Sequence, residues 1–60
     1  MSSVYNPESE WIAEIERLEL EAREIRKRVE HVHTQEDKEV LNRQLAEIAE
    51  QIDVLRSRLP

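Results

Sequence analysis

Few residues of this chain have types and spacings that could do chemistry. Glu30 and His33 stand three apart, the spacing of the Glu-x-x-His ligand pair in di-iron carboxylate bundles, where the ligands project into the core. Here Val29 and Val32 hold the apolar phase, Glu30 sits one position outward and His31 points elsewhere. No inward glutamate on the second apolar segment completes a ligand set. The simpler reading is a solvated turn with histidines near a helix C-terminus, which the helix dipole favours. We therefore expect no metal and no cofactor. Arg23, Arg26, Lys27 and Arg28 form the one basic cluster, with Arg17 further upstream. A nucleic-acid reader wants such a basic face, often interleaved with aromatic rings for stacking. Glu19 lies four residues before Arg23 and Glu24 four before Arg28, so helical ion pairing is expected to absorb much of this charge. Nucleic-acid binding is kept as the alternative to a protein-binding role. The reverse idea, an acidic surface that mimics nucleic acid and occupies a basic partner, is equally open. Ser2, Ser3, Ser9 and Ser57 have no histidine at a motif spacing, and a bundle this small has little room for a substrate pocket of about 300 Å³. No catalysis is expected.

Composition narrows the class further. The chain has 60 residues, 14 acidic and 9 basic, for a net charge of −5. It has no cysteine and no glycine, so there is no disulfide framework, no thiolate and no phosphate-cradling loop. Its longest apolar runs are pairs such as Trp11-Ile12 and Val40-Leu41, too short to cross a membrane or to serve as a secretory signal. A cytoplasmic protein without membrane contact is the expectation.

What would position any of these side chains is helix. Apolar residues recur at Trp11, Ile15, Leu18, Ala22, Ile25, Val29 and Val32, alternating four and three apart. A second stripe runs through Leu41, Leu45, Ile48, Ile52, Leu55 and Leu59 in the same alternation. This is the seam of an amphipathic or coiled-coil helix, and the intervening Glu, Arg, Gln and Ala are good helix formers. Val32 and Leu41 are nine residues apart; at about 100° per residue the second stripe would fall on the opposite side of a continuous helix. The chain must break between them. Thr34-Gln35-Glu36-Asp37 reads as an N-cap with acids in the first turn, and Asn6-Pro7 as a helix start. The spacing predicts helices over about 7–33 and 35–59, preceded by a tail at 1–6. With no glycine at the break, His33 or Thr34 would have to supply a left-handed reversal.

Folded back on itself, the chain pairs Val32 with Leu41, Val29 with Leu45, Ile25 with Ile48, Ala22 with Ile52, Leu18 with Leu55 and Ile15 with Leu59, leaving Trp11 over. Both helices begin acidic and end basic, so antiparallel packing sets acid beside base at each end. The fold class expected is all-α, an antiparallel helical hairpin. Two helices cover only one side of each stripe residue, so a lone hairpin should be marginal. Face-to-face pairing into a homodimeric four-helix bundle would close the core. In shape such a dimer resembles the Rop-type helical hairpin. The likeness is architectural, and a Rop-like nucleic-acid role does not follow from it.

Off the stripe, Leu20 falls on the outermost line of the first helix, and Val40 and Val54 share a flank of the second, with Glu47 between them. That flank, or the end where Val4, Tyr5 and Ile12 lie near Trp11, is the candidate contact for another protein. The functional expectation is a small, non-catalytic, self-associating helical interaction module.

Overall fold

The computed structural model describes residues 6–60, which form two helices of equal length, α1 (Pro7–Val29) and α2 (Gln35–Ser57), packed against each other as a hairpin. Each start is built as its residue types require. Asn6 is extended and its Oδ1 accepts the Glu8 N–H at 3.1 Å, with Pro7 opening the helix. Thr34 is extended and its Oγ1 accepts the Asp37 N–H at 3.1 Å, with Glu36 and Asp37 in the first turn against the positive end of the helix dipole. Truncating this cap by Thr34→Ala should lower stability by about 1 kcal/mol, read as a reduced urea midpoint with an unchanged slope.

The helix ends differ from the sequence expectation. α1 stops at Val29, four residues short of residue 33, and α2 at Ser57, two short of residue 59. His31 N–H still bonds to Arg28 O at 3.0 Å, so the last turn tightens before the chain leaves the helix. The expected left-handed residue at the break is not used: no described residue has a positive φ. Five residues, 30–34, share the reversal, and none has to bear the strain that a β-carbon suffers in the left-handed region. Thr34 sits extended because an N-cap must.

The stripes make the interface. Ile15, Leu18, Ala22, Ile25, Ile48 and Ile52 are buried and form the core, with Val29, Leu41, Leu45, Leu55 and Leu59 packed around them. Trp11 and Val32 are half-buried. Val32 lies beyond α1, yet it still lines a groove with Leu41, its expected layer partner. Among the described residues, no helix is long and apolar enough to cross a membrane. The two helices lie side by side with no further element over either face among the described residues. The hairpin is a single layer with two broad faces.

Candidate interaction surface

The heptad register fixes which side chains border each broad face, because a step of seven residues returns to nearly the same side of a helix. Glu14, Glu21 and Arg28 follow one flank of α1. Gln44, Gln51 and Arg58 follow the adjoining flank of α2. All six line a row of three open grooves on one face. The largest, about 580 Å³, has Leu18 and Leu55 in its floor and Val54 at its rim. Another, about 430 Å³, reaches Ile25 beside Leu20 and Gln44. The third, about 440 Å³, reaches Val32 and Leu41, with Val40 at its rim. These volumes exceed the room expected of so small a chain, but the grooves lie open to solvent. They are troughs between helices that give access to the core.

The opposite face carries Ile12, Glu19, Arg26, Ala49 and Arg56 by the same register. There Arg56 Nη2 donates to Glu19 Oε2 across the helices at 3.5 Å. This bridge sets an acid at the middle of α1 against a base near the end of α2, acid beside base across the antiparallel pair.

Ion pairing along α1 is not the expected set. Glu19 pairs with Arg56 instead of Arg23, and Glu24 pairs with Lys27 at 3.6 Å instead of Arg28. Exposed pairs one turn apart differ little in energy, so a cross-helix partner or a neighbour at i+3 can win. Arg23, Arg26 and Arg28 consequently make no ion pair among the described residues. They do not share a face either: Arg28 lies some 140° around the helix from Arg23 and borders the grooved face.

The tightest polar group is Glu14–Arg17–Glu21. Arg17 forms a two-point contact with the Glu14 carboxylate through Nη2 and Nε, and its Nη1 donates to Glu21 Oε1 at 2.6 Å. The hydrogen bonds from Arg17 hold the Glu14 carboxyl below its ordinary value, and the Arg17 guanidinium is held correspondingly above its own. A carboxyl with a lowered folded-state pKa contributes stability above the ordinary glutamate range and loses it as pH falls through the lowered value. In a carboxyl-detected NMR titration, Glu14 should titrate below the ordinary glutamate value, and Arg17→Ala should raise it back toward that value.

Glu30 is the C-cap of α1 and His33 lies in the connector. The pair therefore lacks the helical spacing that makes Glu-x-x-His a ligand motif. Among the described residues, no group of three or more histidine or acidic side chains is placed to hold a metal ion. Of the off-stripe residues, Leu20, Val40 and Val54 are exposed and border the grooved face. Ile12 is also exposed. Tyr5, Val4 and the tail before Asn6 lie outside the described residues.

Comparison with known proteins adds no relative: no family model, curated protein or solved structure matches this chain. Its functional reading rests on its own side chains.

Proposed function

We propose that this chain is a small, non-catalytic, cytoplasmic interaction module that acts by self-association, as a homodimeric four-helix bundle serving a regulatory, adaptor or assembly role. The observation that carries this reading is the half-covered stripe. Of its thirteen residues, six are buried in the hairpin, and Trp11, Val29, Val32, Leu41, Leu45, Leu55 and Leu59 keep part of their apolar surface in water. A single-layer slab has no second layer to bury them, whereas stable domains are built from at least two. Surface area supports the same reading. The chain exposes 5042 Å², several hundred Å² more than the roughly 4100 Å² of a compact monomer of its mass. A standard protein interface takes about 800 Å² from each partner.

A dimer is stabilised by mass action, so its thermal midpoint depends on protein concentration. Across a hundredfold concentration range we expect the midpoint to rise by about 10 °C. A midpoint independent of concentration contradicts self-association.

The second reading is a nucleic-acid-binding regulator, favoured by the three arginines left without ion-pair partners among the described residues. It calls for a salt-dependent mobility shift with RNA or duplex DNA that is lost on joint alanine substitution of Arg23, Arg26, Lys27 and Arg28. No shift at low salt rules it out.

A further inference from the structure

We draw no further inference here: the strongest candidate, the row of open grooves between α1 and α2 that reaches Leu18, Leu55, Ile25, Val32 and Leu41, carries nothing beyond the self-association already proposed, because nothing in the structure shows what covers it.

Discussion

Replacing Ile25 and Ile48 together by aspartate is expected to leave the chain unfolded and monomeric. These two side chains belong to the buried core, one from each helix, and are only 9% and 8% exposed. Each substitution removes apolar burial worth about 1.5–3 kcal/mol. Each also leaves a carboxylate in an apolar layer without a counter-charge, which adds several kcal/mol unless it protonates. A two-helix chain of this size commands at most a few kcal/mol of net stability, so the double substitution exceeds it. Far-ultraviolet circular dichroism should show loss of the helical signal. Ile12→Asp, at a position 46% exposed on the face opposite the grooves, should keep that signal. A helical, associated Ile25→Asp/Ile48→Asp protein would show that the stripe is not the core.

The second large effect distinguishes the hairpin core from its proposed cover. Leu18 is 2% exposed, and Leu18→Ala should lower stability by about 2–5 kcal/mol, as truncation of a leucine in a closed core does. Leu55 is its layer partner but is only half-buried and stands in the floor of the largest groove. In a lone hairpin Leu55→Ala should cost clearly less than the Leu18 truncation. Covered by a second copy, Leu55 is a core residue too, and the two truncations should cost about the same. Urea denaturation at a concentration where the protein is fully associated gives both values. A Leu55→Ala loss near zero would mean that nothing covers the groove.

Much of this fold is legible in the residues themselves. The four-and-three alternation fixes two helices and their seams, because only a helix brings residues so spaced to one side. Asn6 and Thr34 announce the starts, since each side chain satisfies a backbone N–H that no helical carbonyl can reach. The end of α1 is harder to read. Glu30-His31-Val32-His33 contains no glycine or proline to mark a stop, and the apolar phase runs on through Val32. The helix yields there because the reversal needs several residues when none can take a positive φ, and Val32 keeps its place opposite Leu41 from the connector.

The surface is less legible still. Glu19 had partners available along its own helix, and its pairing with Arg56 depends on how closely the helices approach. The difference between the two broad faces likewise arises only when both flanks are placed together. Glu14, Gln51 and Arg58 are ordinary polar residues in the sequence, and the shared groove over Leu18 and Leu55 gives them a common role.

Sedimentation equilibrium of the purified chain across micromolar concentrations, with circular dichroism on the same samples, tests self-association most directly. The proposed homodimer predicts a helical species of twice the 7.2 kDa chain mass, dissociating with loss of helix on dilution. A stable helical monomer throughout would contradict it, because the half-exposed stripe would then need no cover. A poorly helical monomer would contradict it as well, and would mean that the apolar face is completed by another protein.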